Sequence, residues 1–281
     1  MNDVGPLLSQ AAPWIAQFSG STMIVKFGGE LLTSASRRQR LADQVAILQQ
    51  CGIRPVIVHG AGKQVDEACA AKRISIQKVN GRRITDEATL GVVVETLSGL
   101  NAQLVEAFAA RGVAARGMSQ VRDSWPVKAT RRPPVAQPDG STVDFGLVGD
   151  VASVAIPEGE GCVVLPCLGH DGSTWLNINA DTLARSAGVA LGAEKILFLT
   201  GVSGVMRSLD DAGPISQIPA SQLKDLIQSE GVTGGMKAKL EECLKAIEQG
   251  IPQVHVISGR EPHTLLREVF TDEGCGTLIV P

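Results

Sequence analysis

The sequence predicts an α/β protein, with a mostly parallel sheet covered by helices on both faces. Three observations carry this. Short apolar runs alternate with helical stretches along the chain. Several of those runs end in glycine clusters, as strands do when the chain turns at the sheet edge. And 281 residues at 44% hydrophobic, with a mean hydropathy of +0.13, can bury a sizeable core.

In chain order, Met23–Phe27 reads as a strand ending at Gly28-Gly29, followed by a helix from Ser36 to Gln50. Pro55–His59 is a second strand, closed by Gly60-Ala61-Gly62, and Lys63–Lys72 is helical. The stretch from Asp86 to Arg111 is helical, with a break near Ser98-Gly99. Residues 122–149 are irregular and proline-rich, with strand and turn from Val143 to Val151. Cys162–Pro166 is a buried strand, Asp181–Gly192 a helix and Lys195–Leu199 a strand. Gly234–Gly250 opens with glycines and continues as helix. Val254–Ile257 and Thr277–Val280 are short strands around a helix from Pro262 to Phe270. Right-handed crossovers put the strand carboxyl ends on one edge, where ligands bind. The change of motif density suggests an N-terminal helix (1–22), a lobe from 23 to 175 and a second lobe from 176 to 281.

Composition excludes several classes. Against 26 basic residues stand 29 acidic ones, a net charge of −3. That argues against a broad nucleic-acid surface, which needs a basic excess. Arg37-Arg38, Arg82-Arg83 and Arg131-Arg132 are isolated pairs. Six cysteines form no CxxC pair, so free thiols in a reducing cytoplasm are expected. No apolar run of membrane length and no signal-peptide pattern stands out. His170, His255 and His263 have no metal-ligand spacing, and no protein metal site is expected. His59 closes an apolar strand and reads as a packed core histidine.

The glycine clusters carry the chemistry. Lys26-Phe-Gly-Gly29, His59-Gly-Ala-Gly62 and Gly234-Gly-Met-Lys-Ala-Lys239 each end a strand or start a helix. Glycine lets backbone N–H groups approach an anion closely, and a helix N-terminus adds a favourable partial charge. Lysines at two of the loops suit a phosphoryl group in transfer. Neither a P-loop nor a G-x-G-x-x-G fingerprint is present. In Asn177-Ile-Asn-Ala-Asp181, extended spacing puts Asn177, Asn179 and Asp181 on one side. They either bind a polar substrate and orient a lysine, or Asp181 caps the following helix.

With these segments in hand, the chain resembles the amino-acid kinase family, and within it the acetylglutamate branch, from Leu7 to Ile279. The stretches that carry the resemblance are V-K-F-G-G, V-H-G-A-G, N-G-R-R-I-T-D, V-D-F-G-L-V-G-D-V, N-I-N-A-D, G-G-M-K-A-K and F-T-D-E-G-C-G-T. The resemblance implies phosphorylation of the side-chain carboxylate of N-acetyl-L-glutamate by ATP, with Mg²⁺ carried on the nucleotide. Lys26 and Lys239 would neutralise the phosphoryl group in flight, with Asp181 holding them in register. Gly60, Ala61, Gly62, Arg83, Asn177 and Asn179 would bind the substrate, Arg83 clamping its α-carboxylate. Gly28, Gly29, Thr200, Gly201, Gly234 and Gly235 would serve phosphate and nucleotide. Two positions depart from the family pattern. Ala61 replaces a glycine, at about 1 kcal/mol of strain if that position needs positive φ. Gly201 stands where relatives carry Asp. These departures motivate an alternative, a non-catalytic amino-acid sensor; a kinase for a related small carboxylate is another.

Leu7, Leu8, Ala11, Trp14, Ile15 and Phe18 recur at helical spacing, an amphipathic helix that Pro13 would kink. A lone helix of that length is marginal, so its apolar face needs a partner. That partner is either the helix's own domain or, as preferred here, the same helix of another subunit. The resemblance implies hexamers, trimers of dimers, built through such a helix and inhibited by L-arginine. The inhibitor would bind at Trp14, His263, Glu273 and Gly276.

Overall fold

The computed structural model describes the chain except for residues 1–3, 80, 118–124, 138–139, 157–160, 207–212, 230–231 and 233, and except for the side chains of Val4 and Leu7. The place of Leu7 in the apolar stripe and of Asn80 in its motif therefore lie outside the described residues.

The elements run α1 (Val4–Phe18), β1 (Thr22–Phe27), α2 (Ala35–Gln50), β2 (Arg54–His59), α3 (Gly62–Ala71), a hairpin of β3 (Lys78–Val79) and β4 (Arg82–Arg83), α4 (Glu87–Ala109) and β5 (Ala115–Arg116). Next come β6 (Val127–Arg131), β7 (Val135–Ala136), β8 (Thr142–Val143), β9 (Gly149–Val154), β10 (Cys162–Pro166), β11 (Leu168–His170) and β12 (Trp175–Asn177). The last part holds α5 (Ala180–Ala190), β13 (Lys195–Thr200), β14 (Gln217–Pro219), α6 (Ala220–Gln228), α7 (Gly234–Glu248), β15 (Gln253–Ser258), α8 (Thr264–Phe270) and β16 (Thr277–Val280).

Eight strands form the main sheet in the order β14-β16-β15-β13-β1-β2-β10-β5. All neighbours are parallel except β15 and β16. The fold class is thus as the sequence predicts. The inner strands β1, β2, β10 and β13 are buried almost throughout, because helices cover both faces. β1 lies between β2 and β13, so the chain leaves it in opposite directions. That is the topological switch point at which α/β sheets bind ligands. A second sheet, β12-β11-β6-β9, stands beside this carboxyl edge. The sequence reading missed its short strands β6, β11 and β12.

Helix starts follow local chemistry. Ser34 caps α2 by accepting from Arg37 N, and Asp86 caps α4 by accepting from Thr89 N at 2.7 Å. The expected break at Ser98-Gly99 is absent: α4 runs unbroken, and Ser98 Oγ donates back to Val94 O at 2.7 Å. A serine can satisfy its hydroxyl inside the helix this way. Contrary to the sequence reading, α4 is long and apolar enough to match a membrane span by length and composition. Its Leu97, Leu104 and Phe108 are buried in the core of the chain itself.

The N-terminal stripe divides. Phe18 is buried, Trp14 stacks on it at 5.8 Å, and Trp14 and Ile15 pack against the chain's own core. Of the described stripe residues only Leu8, 63% accessible, is exposed. The helix is therefore anchored on its own fold at its C-terminal end.

His59, at the end of β2, is fully buried, with Asn101 Nδ2 3.1 Å from its Nε2. Burial pulls its pKa down to about 4 from 6.5, so it folds in as the neutral imidazole. The unfolded chain binds that proton near 6.5, so His59's contribution is complete above that pH and is lost as pH falls towards 4. His255, also lowered by burial, acts in the same direction. Urea unfolding at pH 7 and pH 4 should show a loss of roughly 3 kcal/mol traceable to His59. His59→Gln should remove that share of the pH dependence and leave the rest.

Candidate active site

A cleft of about 280 Å³ opens at the carboxyl ends of β1 and β2. Gly28 and Gly29 from the first loop, Gly60, Ala61 and Gly62 from the second, and Asn177 and Asn179 ahead of α5 all line it, together with Lys26 and Arg83. Residues more than 150 positions apart thus meet in one cleft.

Behind Lys26, which lines the cleft, Asp181 joins two lysines; Asp181 and Lys239 are not themselves among the lining residues. Lys26 Nζ lies 2.8 Å from Asp181 Oδ1, and Lys239 Nζ donates to Oδ2 at 2.7 Å. Lys26 is the penultimate residue of β1, and Lys239 lies in the second turn of α7. Asp181 falls in the first turn of α5, where the helix dipole also favours an anion. Burial pushes the Asp181 carboxyl upward, but the two ammonium groups outweigh it and hold it far below the usual carboxylate range. For Lys26, burial pulls the ammonium down, and the facing carboxylate more than restores it. Lys239 stays lowered: burial and the like charge of Lys26 outweigh the pull of Asp181. Three buried charges in one cluster leave a formal excess of +1, suited to an anion entering from the cleft.

Asp181 does not cap α5. Asn179 does, its Oδ1 accepting from Asp181 N at 2.9 Å and from Thr182 N at 3.0 Å. With Oδ1 so used, Asn179 can offer a ligand only its amide nitrogen. Asn177 Nδ2 donates to Thr85 Oγ1 at 3.1 Å. Ala61 has φ −142°, so the substitution for glycine there carries no left-handed strain. Gly29 is constrained by close approach: a Cβ would come within 2.6 Å of Gln64 Oε1 and 2.9 Å of the Ala61 backbone. Gln64 Nε2 donates to Gly29 O at 2.7 Å and ties the first glycine loop to α3.

The outer wall is cationic. Arg83 is nearly buried, and its Nη2 meets Asp66 Oδ1 at 2.5 Å and Gly62 O at 3.2 Å. Arg132, which the sequence reading passed over as half of an isolated pair, also lines the cleft. Its Nε and Nη2 both reach Asp150 Oδ1, at 3.0 and 2.5 Å. Only the pairing of β6 with β9 brings those two residues together, which no local spacing reveals.

Thr200, Gly201, Gly234 and Gly235 do not line this cleft. Thr200 and Gly201 stand at the end of β13, next to β1, where Thr200 Oγ1 accepts from Val202 N at 3.0 Å. A Cβ on Gly201 would meet the Arg260 guanidinium at 3.0 Å, so a cation sits beside the position of the missing carboxylate. Gly234, at φ +57°, takes a left-handed conformation that favours glycine, and starts the helix bearing Lys239. No cluster of His, Cys, Asp and Glu fit to hold a metal occurs among the described residues.

A second cavity, about 310 Å³, lies between α1 and the segment 271–278. Trp14, Glu273 and Gly276 line it with Lys195, His255, Glu268 and Asp272; His263 does not. His263 instead precedes α8 in a left-handed conformation, φ 63°, which turns the chain there. Burial lowers the Lys195 ammonium to about 8. Glu268 accepts from Cys275 N at 2.6 Å and pairs with His255 at 2.7 Å.

The pattern of the Amino acid kinase family matches residues 21–258. The acetylglutamate kinase of Symbiobacterium thermophilum is 38% identical over 287 residues, covering 99% of this chain and 98% of that one. That of Beutenbergia cavernae is 39% identical over 286 residues, covering 98% and 90%. Among solved structures, N-acetylglutamate synthase from Neisseria gonorrhoeae, complexed with coenzyme A and N-acetyl-glutamate, superposes with TM-score 0.84 at 25% identity. It is matched by all of this chain, which spans 64% of its length. Giardia carbamate kinase shares the fold, with TM-score 0.65 at 11% identity over 93% of this chain and 99% of its own.

Proposed function

The chain belongs to the amino acid kinase family, and from that premise we propose that it transfers the γ-phosphoryl group of ATP to the side-chain carboxylate of N-acetyl-L-glutamate. The product is N-acetyl-L-glutamyl 5-phosphate, formed in the second step of arginine biosynthesis. The observation that carries the reading is the Lys26–Asp181–Lys239 cluster, which meets the cleft through Lys26, while Arg83 and Arg132 line the same cleft. The relatives named acetylglutamate kinase support it.

The acceptor is already a carboxylate, so no general base is required. Its oxygen forms the new bond to the γ-phosphorus as the bond to the β,γ-bridging oxygen breaks, and ADP leaves. Lys26 and Lys239 neutralise the equatorial oxygens, and Asp181 keeps both ammonium groups aimed before substrate arrives. Backbone N–H groups of Gly28, Gly29 and Gly62 receive phosphate or carboxylate oxygens. Arg83, with Asn177 and Asn179, holds the amino-acid end. Mg²⁺ would enter on the nucleotide and add charge neutralisation between its phosphates. Residues 23–175 then mainly serve acetylglutamate, joined by Asn177 and Asn179 from the second lobe, and the rest of residues 176–281, with Thr200, Gly201, Gly234 and Gly235, serves ATP. The relaxed φ of Ala61 removes one motive for the sensor alternative, and both lysines with Asp181 give such a sensor no purpose. The six thiols suit the cytoplasm.

We assign L-arginine to the second cavity as feedback inhibitor. Lys195 offers a cation to its carboxylate, and Glu273 and Asp272 offer anions to its guanidinium. The exposed half of α1, with Leu8, pairs with its twin and closes dimers into hexamers. Arginine would then act through the helix that both cavity and ring share.

Coupled ADP release should respond to acetylglutamate at least tenfold better than to glutamate or aspartate. Lys26→Ala and Lys239→Ala should each lower kcat on the order of 10²-fold. Equal turnover of glutamate would place the specificity elsewhere.

Leu8→Glu puts a charge on the exposed stripe without touching Phe18 in the core. Sedimentation should find dimers that still turn over substrate and have lost arginine sensitivity. In the unaltered protein, arginine inhibition should weaken as pH rises past about 8, where Lys195 loses its proton. A hexameric Leu8→Glu protein, or pH-independent inhibition, contradicts these assignments.

A further inference from the structure

The cleft's amino-acid end depends on a carboxylate that does not line it. Asp66, one turn into α3, is not among the cleft residues, yet two cations from the β3–β4 hairpin converge on it. Lys78 Nζ lies 2.6 Å from Oδ2 and Arg83 Nη2 lies 2.5 Å from Oδ1. Lys78 and Arg83 are direct partners across the hairpin, so one carboxylate takes a prong from each strand. Each strand has only two residues, and a ladder that short holds itself weakly. The Arg83 guanidinium meets the Gly62 carbonyl as well, at 3.2 Å. Among the described residues its Nε is buried without a hydrogen-bond partner. An unpaired buried donor on a charged group is costly, and an acceptor that arrives with substrate would relieve that cost.

We propose that Asp66 is a positioning residue for substrate recognition: it pins the hairpin to α3 and fixes the Arg83 guanidinium so that Nε is presented to a carboxylate entering the cleft. The inference rests on the acetylglutamate reading given above and deepens it. Asp66 acts through Arg83 and touches no substrate. It orients one nitrogen and leaves another free, at the cost of placing an anion near the binding site. Orientation and repulsion therefore pull in opposite directions, and their balance can be measured.

Steady-state kinetics of Asp66→Asn reads the sign. If orientation dominates, KM for acetylglutamate rises roughly tenfold while kcat and KM for ATP stay within about twofold. Asp66→Glu, which keeps the charge, recovers part of the loss. In an Arg83→Met background, Asp66→Asn adds less than about twofold, because the residue it positions has gone. A lowered KM in Asp66→Asn, or penalties that multiply in the double variant, overturns the proposal. Should the unaltered protein fail to phosphorylate acetylglutamate, that reading falls alone, and amide exchange of residues 77–84 then decides. Faster exchange in Asp66→Asn, with the rest of the chain unchanged, supports the pinning; unchanged exchange refutes it.

Discussion

Two ammonium groups buried at the end of a parallel sheet repel each other and resist leaving water, and the carboxylate of Asp181 is what lets both stay charged there. Lys26 and Lys239 arrive from opposite sides of the fold, one on β1 and one on α7. Each keeps only about a tenth of its side chain exposed. Burying charge costs several kcal/mol per ion unless a partner compensates. The contacts of 2.8 and 2.7 Å supply that compensation and set the direction in which both lysines point. The residual positive charge is what an incoming phosphoryl group would meet.

The rest of the fold can be understood as what delivers that carboxylate. Asn179 caps α5 and so fixes where its first turn begins, which puts Asp181 beside the end of β1. The switch of chain direction at β1 opens the sheet edge there, and the glycine loops after β1 and β2 line the opening. Gln64 ties those loops together through Gly29 O, in a place too tight for a side chain on residue 29. The same economy recurs further out. Arg83 is held by Asp66 and Arg132 by Asp150, so these two cations facing the cleft are each backed by an anion that sets its angle.

Much of this is legible in the sequence where the signal is local. Runs such as Met23–Phe27 and Lys195–Leu199 declare buried strands, and glycines after them declare the ligand edge. Lys26 and Lys239 stand out beside glycine clusters, and Asp181 in the N-I-N-A-D stretch, where the family resemblance gives all three a role. Signals that depend on distant pairing did not show. β11 and β12 are three residues each and become strands only through partners. Arg132 looked like an isolated surface charge because Asp150 reaches it across the β6–β9 ladder. Asp66 looked like an ordinary helix residue for the same reason. Local rules also misled. Ser98-Gly99 suggested a helix break, yet packing of both flanking turns into the core keeps α4 whole. The family resemblance implies His263 at the inhibitor site, but it sits in a left-handed turn ahead of α8 and does not line the second cavity.

If Asp181 is there to keep two lysines charged, removing its charge must make them easier to deprotonate. The most direct measurement is the pH dependence of kcat for Asp181→Asn beside the unaltered protein. Transfer needs both ammonium groups protonated, so activity falls on the alkaline side as the first of them loses its proton. The account predicts that kcat drops and that this alkaline limb moves to lower pH in Asp181→Asn. A variant with a lowered kcat and an unmoved alkaline limb would contradict it, because the carboxylate would then be shaping the site without governing its charge.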